Sequence, residues 1–343
     1  MRPQMRRVIA KSGGVVVESV PRPAPPKNGF LVQAVCSLIS PGTELGLIAE
    51  SSQGKTRPLG YSLVGRVVGA GDGAPVLPQG TLVACAGYEY AFHADFAAVP
   101  RLMATNVPAR VSAQAAAFTT LGATVMHALR QGRITLGDRV AIVGLGVVGQ
   151  LAAQVTRAAG ARVAAIDLLH TRAALAGRLG AEITLDPRGE TLADQVREWT
   201  GGMGVDCVLL CTSGGGDAVN MAAQMARDRG RLVIVGTPPI HVDRDAFFWK
   251  ELELTISRAY GPGRYDPVYE QDGIDYPPGY VRWTQERNRA EFLRLLADGL
   301  VRVEPLITHT FAIDQAAEAY ALLRQAPESA MGVLLTYDKG GTT

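Results

Sequence analysis

Three glycines in the run Gly144-Leu145-Gly146-Val147-Val148-Gly149 stand at a spacing that can hold a chain of phosphates. The apolar run Val140–Val143 precedes them. An alanine-rich stretch to Gly160 follows, and then Ala161-Arg-Val-Ala-Ala-Ile-Asp167. This order predicts a strand, a tight turn, a helix and a second strand that ends in an acid. Each glycine has its own task. Gly144 permits the turn, Gly146 lets the backbone approach a pyrophosphate, and Gly149 lets the helix pack against the strand. Val147 and Val148 open the helix, whose free N–H groups and partial positive charge favour phosphate. Asp167 lies 23 positions after Gly144, where a carboxylate can accept from a ribose 2′-hydroxyl and would repel a 2′-phosphate. The expected cofactor is therefore NAD(H) rather than NADP(H).

The elements around this loop repeat its pattern. Strands are predicted at 139–143, 161–167, 181–185, 205–211, 231–236 and 252–257. Helices are predicted at 147–159, 171–179, 190–200 and 216–228. Strands joined by crossover helices imply an α/β, doubly wound parallel sheet covered on both faces. Thr212, leading the run Ser213-Gly-Gly-Gly216, and the pair Gly236-Thr237 fall at the carboxyl ends of strands. Nucleotides dock at that edge, so backbone contacts to a nicotinamide are expected there. Residues 1–110 read instead as strands and turns, with Pro/Gly clusters such as Pro21-Arg-Pro-Ala-Pro-Pro between them. At Ser112 an N-cap opens a helical stretch. After Arg258 comes a segment rich in Tyr and Arg, then a helix near 285–298, an amphipathic helix near 314–325 and a last strand from Met331.

Composition narrows the function. A chain of 343 residues suggests two domains. Lys+Arg 34 against Asp+Glu 32 gives no basic stripe, so no nucleic acid is expected as partner. No apolar run reaches the length of a membrane span. In the basic opening Met1–Arg7 only Val8-Ile-Ala follows before Lys11, which is too short for a signal-peptide core. Cys36, Cys85, Cys207 and Cys211 sit in apolar strand-like runs, as buried thiols of a reducing cytoplasm would.

The whole chain resembles the medium-chain dehydrogenase/reductase superfamily. The resemblance is carried by Pro21–Val32, by Gly60-Tyr-Ser-Leu-Val-Gly-Arg-Val-Val, by His93-Ala-Asp-Phe-Ala-Ala-Val-Pro100, by the Gly144 loop and by Leu232-Val-Ile-Val-Gly236. It implies a GroES-like β-rich catalytic domain over 1–112 and 262–343, interrupted by a Rossmann domain over 113–261. A homodimer acting on a small-molecule substrate is the implied assembly. Arg172 matches a basic residue that contacts the adenosine ribose in NAD-using relatives.

Zinc-dependent relatives place a Cys ligand before a Ser/Thr–Asp pair, then a Gly-His-Glu, and later a Cys or acid. Here Ser40 stands at the first place, with one residue inserted before Thr43 and Glu44. Gly60-Tyr61-Ser62 takes the second place, and the third falls near Thr119. The lobe of four cysteines that holds a structural zinc is absent too. Zinc wants converging Cys, His and carboxylate ligands, so a zinc-free member is expected. Another group must then meet the reacting oxygen. Tyr61, in the place of the ligand histidine, is the first candidate and a packed aromatic the alternative. Thr43 sits where relatives relay a proton, or is an ordinary turn residue. Glu44 can orient a neighbour or act as base, and the equivalent acid often pairs with an Arg. His93 opens a strand that borders the catalytic site in the family. Ser257–Asp266 and Asp275–Trp283 resemble a zinc-free subgroup that also occurs fused to a sugar-type oxidoreductase domain. Tyr260, Arg264 and Tyr265 are therefore substrate candidates, with stacking faces and donors suited to hydroxyls. A subunit contact is the alternative. The expected activity is alcohol–ketone interconversion on a sugar- or cyclitol-like molecule. An enoyl or quinone reductase and a non-catalytic NAD(H) sensor are the rivals.

Overall fold

Strands β1 (Gln4–Lys11) and β2 (Gly14–Pro21) pair antiparallel through Ser12-Gly13, whose positive φ values of 51° and 76° match the twist of the flanking strands. A computed structural model describes residues 3–189, 191–213 and 217–337 of the chain. After β2 come β3 (Gly29–Leu38), helix α1 (Pro41–Ser51), β4 (Arg57–Pro58), β5 (Ser62–Ala70), β6 (Leu82–Ala86), β7 (Phe96–Pro100), β8 (Ala104–Asn106) and the short α2 (Ala113–Ala116). The middle of the chain holds α3 (Thr119–Gln131), β9 (Arg139–Val143), α4 (Val147–Ala158), β10 (Arg162–Ile166), α5 (His170–Arg178), β11 (Ile183–Leu185) and α6 (Leu192–Trp199). It continues with β12 (Val205–Leu210), α7 (Ala218–Met225), β13 (Ala226–Ile234), α8 (Arg244–Lys250) and β14 (Glu253–Ile256). Then α9 (Pro267–Glu270), α10 (Gln285–Ala297), β15 (Ile307–Ala312), α11 (Ala316–Gln325) and β16 (Gly332–Thr336) complete it.

The chain divides into two compact units. One is built from 1–120, 262–297 and 303–343, the other from 121–261 and 298–302. The first crossing lies after Thr120, not at the expected 112, because the residues past Ser112 are tied to the first unit. Ser62 Oγ donates to the Ala117 carbonyl at 2.6 Å, and Cys36 Sγ to that of Ala113 at 3.2 Å. The Ser112 hydroxyl caps α2 as expected, accepting from Ala115 N–H at 3.1 Å.

The first unit is a β-rich body. Its larger sheet has seven strands in the order β15-β16-β3-β5-β6-β8 with β7 also against β3, and a second sheet runs β2-β1-β4. Its pairs are antiparallel except β15 with β16. The second unit is a six-stranded parallel sheet in the order β11-β10-β9-β12-β13-β14. Its central strands β9, β10 and β12 are buried nearly throughout, as strands covered on both faces must be. The order turns back between β9 and β12, so their carboxyl ends mark the switch point where such sheets bind ligands. The predicted elements agree to within a few residues, except that β13 starts at Ala226, inside the helix expected over 216–228. Cys211 lies just past β12 and is only half-buried, so it does not share a strand with Cys207.

Candidate functional site

In the second unit the glycine loop follows β9 directly. Gly144 has φ of 87°, and a Cβ there would meet the Thr212 side chain and backbone at 3.0 Å. Gly149 faces the Gly144 carbonyl, which a Cβ would approach to 1.9 Å. Helix and loop can touch only because residue 149 is glycine. Gly146 is different: nothing among the described residues lies within 4 Å of its Cβ position. It is the N-cap of α4, with no side chain bonded to the first-turn N–H groups. An open glycine before uncapped N–H donors fits a pyrophosphate. Val147 is buried and Val148 half-buried at the start of that helix. Gln150 pins the loop from behind, donating to the carbonyls of Leu145 at 3.3 Å and Arg172 at 2.8 Å.

Asp167 follows β10. Its two oxygens accept from Leu145 N–H at 2.6 Å and Leu169 N–H at 2.8 Å. Each carboxylate oxygen has a further lone pair, and the residue is half-exposed, so a ribose hydroxyl can still donate to it. Arg172 lies half-exposed in α5. Gly236 follows β13, and a Cβ on it would come within 2.1 Å of the Thr212 carbonyl, which also accepts from Thr237 N–H at 3.2 Å. Thr212, Gly236 and Thr237 therefore meet at one strand edge. Gly214, Gly215 and Gly216 lie outside the described residues.

The first unit gathers a cluster of hydroxyl and carboxyl groups. The Tyr61 hydroxyl donates to Ser40 Oγ at 2.6 Å and also interacts with Thr43. Burial is the main reason its phenol is pushed up to about 12, with the Glu44 charge adding to the effect. Thr43 and Glu44 are not in a turn, because Pro41 starts α1 and both fall in its first turns. Thr43 is exposed there, whereas Glu44 is fully buried. Three donors converge on the Glu44 carboxylate: Ser40 N–H at 2.8 Å, His93 Nε2 at 3.0 Å and the Tyr320 hydroxyl. The partners are thus a backbone amide, a His and a Tyr rather than the expected Arg.

His93 sits in a bend three residues before β7 rather than at the head of a strand. Its own N–H and carbonyl bridge Leu59 and Val8, and Gly60, with φ of 98°, leaves room for its ring. A carboxylate only accepts, so His93 carries its proton on Nε2. Nδ1 then accepts from Ser37 Oγ at 2.7 Å, and Ser37 Oγ accepts from the Tyr337 hydroxyl at 2.7 Å. Burial holds the Tyr320 and Tyr337 phenols well above their ordinary range, which keeps both as donors. Ser37, Tyr320 and Tyr337 carry no local sequence signal, because they reach the cluster from β3, from α11 and from just past β16.

The donor set does not suit zinc. Ser40 Oγ accepts from the Tyr61 hydroxyl, Ser62 Oγ is bonded to Ala117, and Thr119 Oγ1 donates to the Ala116 carbonyl at 2.6 Å. Among the described residues no group of three His, Cys, Asp or Glu stands where it could hold a metal ion.

The Tyr/Arg segment is partly core. Tyr269 is fully buried and stacks on Tyr276 at 5.5 Å. Arg264 is buried against Glu270 at 2.6 Å. Tyr260 is 4% exposed and belongs to the second unit. Of the three substrate candidates only Tyr265 is exposed, at 59%.

The architecture is the medium-chain dehydrogenase fold. A solved oxidoreductase/dehydrogenase of unknown specificity from Escherichia coli superposes with a TM-score of 0.83, covering 98% of this chain and 100% of that one at 17% identity. The zinc-binding dehydrogenase family matches residues 147–271, a stretch that excludes Ser40, Tyr61 and Thr119. The chain is 30% identical over 227 residues to a 2-dehydro-3-deoxy-L-galactonate 5-dehydrogenase of Pseudoalteromonas atlantica, covering 65% of this chain and 58% of that protein. A sorbitol dehydrogenase of Halalkalibacterium halodurans is 28% identical over 236 residues, 67% of this chain and 61% of that one. The matches thus span under two thirds of these relatives' own length. The chain thus has the medium-chain dehydrogenase fold and, over its middle part, is similar in sequence to zinc-binding dehydrogenases.

Proposed function

We propose that the protein is a zinc-independent, NAD(H)-dependent oxidoreductase that interconverts a secondary alcohol and a ketone on a polar, sugar- or cyclitol-like molecule. The observation that carries this reading is the Tyr61–Ser40 hydrogen bond of 2.6 Å, made by two hydroxyls at the places where zinc-dependent relatives keep ligands. Gly144, Gly146 and Gly149 would hold the dinucleotide pyrophosphate, Asp167 and Arg172 the adenosine ribose, and Thr212, Gly236 and Thr237 the nicotinamide half. When bound, the nicotinamide supplies or takes up the hydride.

The protein's own part is the proton. Tyr61, kept protonated by burial, donates to the ketone oxygen as negative charge develops there. Ser40 and Thr43 then restore its proton, and Thr43 is exposed to water. Oxidation runs the same path backwards. Glu44 acts at one remove by fixing the Ser40 backbone, and His93 by fixing Glu44. A homodimer is part of the reading, supported by the outer strand β14 with Ile256 63% exposed and by Trp249 78% exposed on α8. A cytoplasmic setting is supported by four unpaired cysteines.

Purified protein screened with NAD⁺ against polyols, sugars and enones should oxidise a polyol or sugar. It should bind NADH at least tenfold more tightly than NADPH by fluorescence titration, and carry no stoichiometric zinc. Turnover of enones alone, equal binding of NADPH, or one tightly held zinc per chain would each overturn the corresponding part.

A further inference from the structure

Tyr265 is held in a backbone conformation that its side-chain type avoids. Its φ is 68°, in the left-handed region where Cβ crowds the following carbonyl. Glycine adopts this conformation freely, and Gly263 two residues earlier does so with φ of 94°. A tyrosine kept at such a position supplies something glycine cannot.

Buried groups impose the strain. Glu270 Oε1 accepts from Tyr265 N–H at 2.9 Å and from Arg264 Nη1 at 2.6 Å, and Glu270 Oε2 accepts from the Tyr90 hydroxyl at 3.3 Å. The Arg264 and Glu270 side chains are only 6% and 5% exposed. The Arg264 guanidinium lies 4.0 Å from the centre of the Tyr265 ring. An ion pair shut away from water thus fixes a backbone turn that leaves an aromatic ring 59% exposed, with Arg264 against it. That ring belongs beside the hydroxyl cluster, because the Tyr265 phenol lies near enough to Tyr61 to disfavour its ionisation.

We infer that Tyr265 is a specificity-determining residue that takes a polyhydroxylated carbon chain or ring, packing its aromatic face on the substrate C–H groups while its hydroxyl bonds a second substrate hydroxyl. The inference rests on Tyr61 as the group that meets the reacting oxygen. Aromatic rings suit such ligands, which carry apolar C–H faces between hydroxyls. Thr43, exposed and in contact with Tyr61, offers a further hydroxyl for them.

Tyr265→Gly relieves the backbone and removes the ring, whereas Tyr265→Phe removes the hydroxyl alone. Both would be compared with the wild type, loaded with NADH, for binding of sorbitol, myo-inositol and 2-butanol by saturation-transfer NMR, and for melting temperature. Tyr265→Gly should melt no lower than the wild type, bind the best polyol at least tenfold more weakly and leave 2-butanol unchanged. Tyr265→Phe should lose about threefold. Unchanged polyol binding in Tyr265→Gly would overturn the inference. So would a lower melting temperature with polyol and 2-butanol weakened alike, since the ring would then only pack. Failure of the wild type to bind any polyol would overturn it as well. A wild type that binds a polyol but oxidises none would count against the oxidoreductase reading alone, and the binding comparison would still decide Tyr265.

Discussion

At the scale of single residues, Tyr61 and Tyr320 are both protonated phenols, yet they face different partners and should answer differently to loss of the hydroxyl. Tyr61 donates to Ser40, a group with its own hydrogen to give, and stands where a reacting oxygen is proposed to arrive. Tyr61→Phe should lower kcat by about 10²–10⁴-fold, with NADH binding and melting temperature nearly unchanged. Near-full activity would shift the proton to Thr43, and Thr43→Val would then show the loss. If neither matters, no protein acid is needed and reduction of an activated C=C bond gains ground. Tyr320 donates to the buried Glu44 carboxylate. Tyr320→Phe leaves that oxygen with His93 alone, so unfolding in urea should report a loss of about 1–3 kcal/mol while kcat changes less than tenfold. A kcat collapse at unchanged stability would mean that Tyr320 itself moves the proton.

At the scale of elements, the turn from β9 into α4 separates two uses of glycine. Gly149→Ala would drive a methyl to 1.9 Å from the Gly144 carbonyl, so the helix must move off the strand. The expected result is poor folding, or a melting temperature lowered by many degrees. Gly146→Ala meets nothing among the described residues within 4 Å and has φ of −66°, which alanine adopts without strain. It should melt like the wild type yet bind NADH at least tenfold more weakly, because the methyl occupies the approach of the pyrophosphate. Calorimetry and fluorescence titration on the same samples separate the two outcomes. Undiminished NADH binding in Gly146→Ala would remove the phosphate from this turn.

At the scale of the whole molecule, burial of thiols and phenols sets the alkaline limit of stability. Cys36, Cys85 and Cys207 are pushed by burial from 9.0 up to about 12, and Tyr61 from 10.0 to about 12. Tyr320 and Tyr337 are raised as well. Each acid keeps its proton longer when folded than when unfolded. The folded state therefore binds more protons between the two values, and stability falls as pH rises through that window. Melting temperature should be level from pH 7 to about 9 and decline from there towards 12. A level profile to pH 11 would show that these groups are not shielded from water.

Periodicity and local motifs were enough to specify the parallel sheet, the glycine loop and Asp167, because their physics is local: a strand of small apolar residues, a turn that only glycine permits, a helix that starts where the turn ends. The β-rich body and its interruption were legible through resemblance, carried by short motifs in a fixed order. What the residue order left open was the partner of each polar group. Glu44 invites an Arg on paper, but α1, the bend at His93 and α11 close around it and supply a His, a Tyr and an amide. Arg264 has the chemistry of a substrate ligand until Glu270, six positions on, takes it into a buried ion pair. The crossing between units moved to Thr120 because Ser62 and Cys36 bind the carbonyls of 113–117. Hydrogen bonds join groups 276 and 300 positions apart, Glu44 to Tyr320 and Ser37 to Tyr337, and sequence spacing holds no record of them. Burial and partner choice are properties of the packed chain, so only the tertiary structure decided which group each hydroxyl bonds.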